Sequence, residues 1–531
     1  MPGRALRPDL VLYNANVITL DERRPRAELV AVRDERIVWV GSDSDLRDLA
    51  SAGTKTIDCS GQTIVPGFID AHTHVLAYSA SLMAVDCRPS SVASIAAIQR
   101  SLRERAETAP AGQWVRGTGY DEFAFPEGGD DPERAKNRHP TRWDLDQAVP
   151  HHPVRLDHRS GHACVLNSMA LALVGISSDT PEPPGGTIAR DLGSGGPNGL
   201  LLEMDEYLDG RIPPLSDEEL EQGIRLADRR MVSLGITSVH DATPSNSPER
   251  WDRLRRLKAD GMLRPRVTMM AGSGHLDEFA DQGFRHGYGD HELSLGHVKL
   301  MLTMSSGQLQ PSRDELTGLM RLAYQAGFPV AVHAVEAEAV DAVADAISEL
   351  RAIRDDLLPN DAPRDRIEHC SEAPPATLAR LEQSGAVVVT QPAFLYHSGR
   401  RYLSEVPQGM RPWLYRMRSF LEAGLHPAAG SDAPVVDPNP LVGMCAAVTR
   451  RSESGEPVSV LEGVPPNEAL KMYTLSGAYA AGRQGDTGSI EVGKLADLAL
   501  LDGDPTRVEA SEIRDIKVRL TVIGGQVVWE G

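Results

Sequence analysis

Between Thr63 and Arg483, short apolar, β-rich segments alternate with helical stretches, and this repetition most limits the folds open to the chain. The clear strands are Thr63-Ile64-Val65 through Phe68-Ile69-Asp70, Ile236-Thr237-Ser238-Val239, Val298-Lys299-Leu300-Met301-Leu302, Pro329-Val330-Ala331-Val332, Arg366-Ile367-Glu368, Ala386-Val387-Val388-Val389-Thr390 and Pro427-Ala428-Ala429. Helical runs such as Asp314–Ala326, Glu336–Ala352 and Pro375–Ser384 lie between them. Strand followed by helix, repeated, implies a parallel sheet. Repetition over this length favours a closed (β/α)8 barrel over an open sheet, although periodicity alone leaves both open.

The two ends of the chain read differently. Near the start, Leu10-Val11-Leu12, Val17–Leu20, Leu29–Val32 and Arg36–Val40 are β-rich, and Arg33-Asp34-Glu35 forms a polar turn between the last two. Near the finish, Ala496–Leu501 and Lys517–Ile523 are strands, and Gly524-Gly525 turns the chain into Gln526–Trp529. Neither end is large enough to bury a core alone. The simplest arrangement is one small β-sandwich built from residues 1–62 and 484–531, with a barrel at 63–483 between them. Residues of about 85–230 are too many for one βα unit and are rich in Pro and Gly from Pro181 to Gly199. They are read as an inserted lobe, either a structural elaboration or a lid over substrate.

Charge and cysteine content narrow the functional classes. The formal charge of −20 opposes a nucleic-acid or anionic-membrane partner. Cys59, Cys87, Cys164, Cys370 and Cys445 are scattered with no C-x-x-C pair, which suits reduced thiols. Met1 to Leu20 lack a basic stretch followed by a long apolar run, and no segment reaches the ~20 apolar residues of a membrane span. The expectation is a soluble, cytoplasmic protein.

The residues that carry chemistry sit at strand ends. His72-Thr73-His74 follows the apolar Phe68-Ile69-Asp70. Alternate residues of a strand point the same way, so both imidazoles aim at one place, as a metal requires. Lys299 lies within an apolar strand, where an unpaired ammonium is costly. His333 ends Val330-Ala331-Val332, His369 ends Arg366-Ile367-Glu368, and Asp432 follows Ala428-Ala429-Gly430-Ser431. In a barrel these ends converge on the face that holds active sites. His240-Asp241 follows another strand and is expected to orient the site from behind.

Several stretches together carry a family likeness: VPGFIDAHTHV at Val65–Val75, GITSVHD at Gly235–Asp241, RIEH at Arg366–His369, GSDAP at Gly430–Pro434, AAVTR at Ala446–Arg450 and GSIEVGKLADLALLDGDP at Gly488–Pro505. The set resembles the amidohydrolase superfamily, and its wording is similar to amidohydrolase family 3. The resemblance covers nearly the whole chain. It implies that His72, His74 and Asp432 hold a divalent metal, most simply zinc, while His333 and His369 complete that site or hold a second ion. Lys299 matches the position where many relatives carry a carboxylated lysine bridging two metals; the alternative is an uncarboxylated lysine paired with an acid. The implied reaction uses a metal to lower the pKa of bound water from 15.7 to roughly 7 and to polarise a carbonyl. Asp432 would be the general base and then pass the proton to the leaving amine. Cys370 is read as packing.

Substrate contacts are expected from His162, and then from Tyr120 and Asp121, in segments that resemble pocket-approaching parts of the family. After the lysine strand, relatives commonly carry an Asp-Gly turn, whereas this chain reads Thr303-Met304-Ser305-Ser306-Gly307-Gln308. The expected function is hydrolysis of a C–N bond in an amide, an N-substituted formamide or a related carboxamide. The alternatives are deamination of a heterocyclic amine and a scaffold that has lost activity. The expected partners are a small-molecule substrate and a second copy in a homodimer.

Overall fold

The computed structural model describes residues 7–89, 91–124, 138–183, 185–304 and 307–531. It divides into two compact units, one formed by Met1–His74 with Asp228–Gly531 and the other by Val75–Ala227.

An eight-stranded parallel sheet forms the centre of the first unit. Its strands in chain order are β1 (Phe68–Thr73), β2 (Ile236–Asp241), β3 (Arg266–Gly272), β4 (Leu293–Met301), β5 (Val330–Ala334), β6 (Arg366–His369), β7 (Val387–Thr390) and β8 (Ala428–Ala429). Each pairs in parallel with the next. Just beyond β8 the chain meets β1 again. Asp432 N–H donates to the His72 carbonyl at 2.7 Å, and His74 N–H donates to the Ala433 carbonyl at 3.0 Å. Gly430 permits this approach, since a Cβ there would stand 2.6 Å from the His72 nitrogen. The result is the expected (β/α)8 barrel.

Helices on its outside begin with local signals. Ser312 and Glu315 form a reciprocal cap on the helix Arg313–Gln325, whose residues Leu316, Met320 and Ala323 are buried. Pro375 starts the helix Pro375–Ser384, and Gly385 ends it with a φ of +63°.

Two strand assignments differ from the sequence reading. β3 escaped notice because Arg266-Val267-Thr268-Met269-Met270-Ala271-Gly272 is rich in Met and Ala, which have little β-preference. The single strand expected from Thr63 to Asp70 is two strands. Thr63–Pro66 pairs with terminal strands, and β1 begins only after Gly67. A side chain at Gly67 would collide with Thr237, so glycine is needed where the chain leaves one sheet for the other.

The termini do pair with one another. A six-stranded sheet runs in the order Gln526–Glu530, Val518–Ile523, Leu498–Leu501, Thr63–Pro66, Asn16–Ile18, Arg26–Ala27. A four-stranded sheet runs in the order Arg36–Gly41, Leu29–Arg33, Leu10–Tyr13, Lys55–Asp58. One apolar cluster joins them, including Leu12, Val32 and Ile37 from the first sixty residues and Leu498, Leu520 and Val522 from the last forty. Gly524 and Gly525 both have positive φ, at +54° and +75°, as a primed two-residue turn requires.

The second unit has its own six-stranded mixed sheet, ordered Thr187–Arg190, Pro197–Leu202, Ala163–Leu166, Val154–His158, Val115–Tyr120, Val85–Asp86. One cluster packs Ile98 and Leu102 of the helix Ile95–Thr108 with Val115 and Leu156. Another gathers Leu166, Leu171, Ile188 and Leu201. The segment is therefore a folded body rather than a long loop. All five cysteines are free and buried. No helix among the described residues is long and apolar enough to cross a membrane.

Leu498 is 1% exposed and pairs with Pro66 on one side and Val522 on the other. Leu498→Ala is expected to destabilise this unit by about 2–5 kcal/mol, because the buried strand cannot collapse to fill the space. Denaturant unfolding followed by circular dichroism checks this. An unchanged midpoint would mean that the two ends of the chain are not joined through this core.

Candidate metal centre

The six candidate ligands all lie at the C-terminal ends of barrel strands. His72 is the penultimate residue of β1, and His74 follows the strand; Lys299 is near the end of β4 and His333 near the end of β5; His369 ends β6; Asp432 comes just after β8. His72, His369 and Asp432 each offer a ligand atom, and these atoms lie within 4.8 Å of one another. Asp432 Oδ1 is 2.9 Å from His74 Nε2 and 3.5 Å from His72 Nε2. The His333 and His369 rings are 4.4 Å apart, and those of His72 and His369 are 4.9 Å apart. The Lys299 charge is felt by His72, His369 and Glu368. All six expected residues are thus gathered at one end of the barrel.

Local backbone geometry makes this convergence possible. Neighbouring side chains in a regular strand point to opposite faces. His369 breaks that alternation with a φ of +70°, so both it and Glu368 serve the same place. Asp432 has a φ of +57°. Its loop is held by the preceding residue: Ser431 donates its N–H and its hydroxyl to the Asp70 carboxylate at 2.9 and 2.5 Å. Burial pushes the Asp70 carboxyl up to about 6.

Hydrogen bonds on the far side of the His72 and His369 rings select the tautomer. His72 Nδ1 is 2.5 Å from Glu368 Oε2. A carboxylate only accepts, so Nδ1 carries the proton and Nε2 keeps its lone pair. His369 Nδ1 donates in the same way to Gln391 Oε1 at 2.9 Å. His74 Nδ1 is 3.2 Å from Thr243 Oγ1. Burial, reinforced by the Lys299 charge, holds both His72 and His369 below the usual imidazole range, so both are neutral donors.

Beneath the ligands lies a buried ion pair. Arg366 and Glu368 are fully buried, two residues apart on β6. Arg366 donates to both Glu368 oxygens at 2.7 and 3.1 Å, and to the Ala71 carbonyl at 2.7 Å. Its remaining arm reaches His240 Nδ1 at 3.0 Å. Burial and the Arg366 charge push His240 down to about 3, so it stays neutral and accepts. Burial would raise the Glu368 carboxyl, but Arg366 and Lys299 hold it below the usual range. Burial lowers Lys299 to about 8 against the pull of Glu368 and Asp432. Asp432 is also buried, yet the hydrogen bond from His74 keeps its carboxyl well below the usual carboxylate range.

His240 therefore stands behind His72 through Arg366 and Glu368. Asp241 accepts from Thr243 N–H at 3.0 Å and from Asn246 at 2.9 Å, shaping the loop whose Thr243 touches His74. In sequence, Arg366 and Glu368 read only as strand and motif residues. Their signal was two opposite charges on one face of a central barrel strand, where burial is tolerable only for a pair. Gln391 and Thr243 gave no signal, since their roles depend on strands remote in sequence. Cys370 is buried, and burial pushes its thiol far up, which agrees with a packing role.

The expected substrate residues lie in the second unit and have separate surroundings. Tyr120 is buried, with its hydroxyl 2.9 Å from His139 Nδ1. Asp121 is buried and accepts from Arg159 at 2.7 Å. The His162 side chain is 51% exposed and stands 3.1 Å from Glu203. In the unusual loop after β4, Thr303 and Gln310 exchange backbone hydrogen bonds of 3.0 and 2.9 Å, while Ser305 and Ser306 lie outside the described residues.

Two variants probe the support beneath His72. Glu368→Gln keeps the shape but removes the charge, and metal affinity is expected to fall about 10–100-fold. Arg366→Met leaves Glu368 buried without its partner and is expected to cost about 3–5 kcal/mol of stability. Chelator competition and thermal unfolding measure the two effects. Unchanged metal affinity in Glu368→Gln would remove this carboxylate from the ligand-orienting role.

The model for the amidohydrolase family matches residues 55–529. An Arthrobacter pascens protein described as an N-substituted formamide deformylase is 32% identical, over 98% of this chain and 98% of its own. The Arabidopsis thaliana protein LONG AFTER FAR-RED 3 is 27% identical over 99% of this chain and 93% of its own. The crystal structure of an uncharacterized metal-dependent hydrolase from Pyrococcus horikoshii OT3 superposes with a TM-score of 0.74 at 22% identity, covering 94% of this chain and 99% of that one. With the barrel, its gathered donors and a match over most of its length, this chain belongs to the amidohydrolase family.

Proposed function

We propose that this hydrolase cleaves the C–N bond of an N-substituted formamide or a related small carboxamide, with Asp432 as general base. The observation that carries the reading is the convergence of His72, His369 and Asp432 within 4.8 Å at the C-terminal end of the barrel. Two neutral imidazoles and a carboxylate form a donor set suited to zinc. His74 and His333 would complete that site or hold a second ion. A bound divalent ion would supply a polarised substrate carbonyl and a water with a pKa of roughly 7. The substrate class is supported by the description of the 32% identical Arthrobacter relative.

Asp432 suits the proton-transfer role. The hydrogen bond from His74 holds its carboxyl low, and Oδ1 faces the His72 and His74 rings. It can accept a proton from the attacking water and deliver it to the departing nitrogen, so the products leave as acid and amine. Lys299 suits carboxylation. Burial brings its amine within reach of deprotonation. The neutral nitrogen bonds to the carbon of carbon dioxide, a proton leaves to solvent, and the resulting carbamate is an anionic oxygen donor in place of a buried cation.

The test is a product assay over N-formyl and N-acyl amines, with zinc supplied. Formate or another acid should appear with the amine, and Asp432→Asn should slow turnover about 10²–10⁴-fold. Lys299→Ala should lower the metal content. Ammonia released from a heterocyclic amine, with no acid formed, would instead identify a deaminase. Failure to turn over any of these compounds at full metal occupancy would leave a scaffold.

A further inference from the structure

The AAVTR stretch at Ala446–Arg450 ends in an arginine that the proposed reaction does not use. Arg450 follows the helix Pro440–Thr449, has a φ of +54° and is fully buried. All three of its side-chain nitrogens donate to main-chain carbonyls. Nε reaches Val458 at 3.0 Å, and the two terminal nitrogens reach Tyr415 and Leu414, each at 2.8 Å. Glu462, whose charge Arg450 feels, is itself bound by Arg416 and Ser419. The planar fork of Arg450 thus spans two successive carbonyls, which the point charge of a lysine cannot do.

Those two carbonyls belong to a strap laid along the residues that follow His369. Tyr415 N–H donates to the Ser371 carbonyl at 2.8 Å, and Ala373 N–H donates to the Trp413 carbonyl at 3.0 Å. Between them, Leu414 is bridged to Glu372 in the antiparallel sense. Arg416 adds a bond to the Ala373 carbonyl at 3.0 Å. Leu414, Tyr415 and Ser371 are all buried. Tyr415 has a φ of +47°, and its hydroxyl stands 2.9 Å from that of Tyr402.

The residues pinned in this way carry the backbone turn on which the candidate metal centre depends. His369 and Cys370 have φ of +70° and +48°. Two successive left-handed residues that are not glycine persist only where their surroundings impose them. From one side, Cys370 N–H is held by the carbonyls of Ala334 and Glu368, and Glu372 N–H by that of Val335, all at 3.0 Å. The strap from Trp413 to Arg416 holds the same segment from its other edge. We propose that Arg450 is a positioning residue for His369. By holding Leu414 and Tyr415 against Ser371–Ala373, it keeps the left-handed turn that aims the imidazole at the candidate metal centre. The inference rests on His369 being a metal ligand, and on neither the substrate nor the bond cleaved.

The experiment measures metal affinity of the full-length chain by chelator competition, with the visible absorption of the cobalt form reporting ligand geometry. Arg450→Met should weaken zinc and cobalt binding about 10–100-fold, as loss of support behind a ligand does, and should change the cobalt spectrum. Arg450→Lys keeps the charge without the fork and should move both readouts in the same direction. Leu498→Ala, in the terminal sandwich, lowers stability and should leave both unchanged, which separates loss of stability from loss of positioning. In a His369→Ala background, Arg450→Met should alter affinity by no more than about twofold, because the two residues act as one unit. A lower melting temperature with unchanged affinity and spectrum would overturn the proposal, as would an undiminished effect in the His369→Ala background. Unchanged affinity in His369→Ala alone would instead remove His369 from the ligands. A crystal structure of metal-free Arg450→Met tests the turn directly. His369 should leave the left-handed region, and a φ still near +70° would overturn the proposal.

Discussion

The candidate metal centre rests on the Arg366–Glu368 ion pair closed inside the barrel. Two charges taken out of water this completely are tolerable only when each is fully engaged. Arg366 spends its donors on Glu368, the Ala71 carbonyl and His240, and these contacts tie β6 to β1 and β2. Glu368 then fixes the proton on His72. The ion pair is therefore at once a strut across the barrel and the reason why a ligand nitrogen faces the site with its lone pair exposed.

The same economy recurs around the rim. Asp70 holds Ser431, which sets the loop that presents Asp432, while Asp432 N–H returns to the His72 carbonyl. One short circuit thus joins the first and last strands, closes the barrel and positions a carboxylate. Gln391, just past the next strand, orients His369, and Thr243 touches His74. His72, His74 and His369 are each met by a residue from a different part of the barrel, so the candidate site depends on the closed barrel and not on any single motif.

The second unit is built on a sheet of its own. Parallel strands again deliver acidic residues and a histidine to adjacent C-terminal ends. Its cores, built around Leu102 and Val115 and around Leu166 and Leu201, give those residues a rigid platform. A segment with separate apolar clusters is a folded unit and not a long connection between barrel strands.

The sequence by itself determined the alternation of strands and helices, the pairing of the two termini, and the residues at the strand ends. These are local matters: period, apolar runs, and histidines two apart on one strand. It also carried enough family-specific wording to anticipate the amidohydrolase barrel. Tertiary structure decided what has no local signature. Gly67 separates two strands that read as one because a side chain there meets Thr237 across the fold. Glu368 and His369 serve one site only because of a left-handed residue at the end of β6. Arg366, Gln391 and Thr243 acquire their roles from partners that sequence distance hides, and Asp121, Glu122 and His158 come together only when two strands align. Hydrogen bonds and charges act over a few ångströms in space, so residues far apart in the chain reveal their shared purpose only when the barrel and the second sheet are formed.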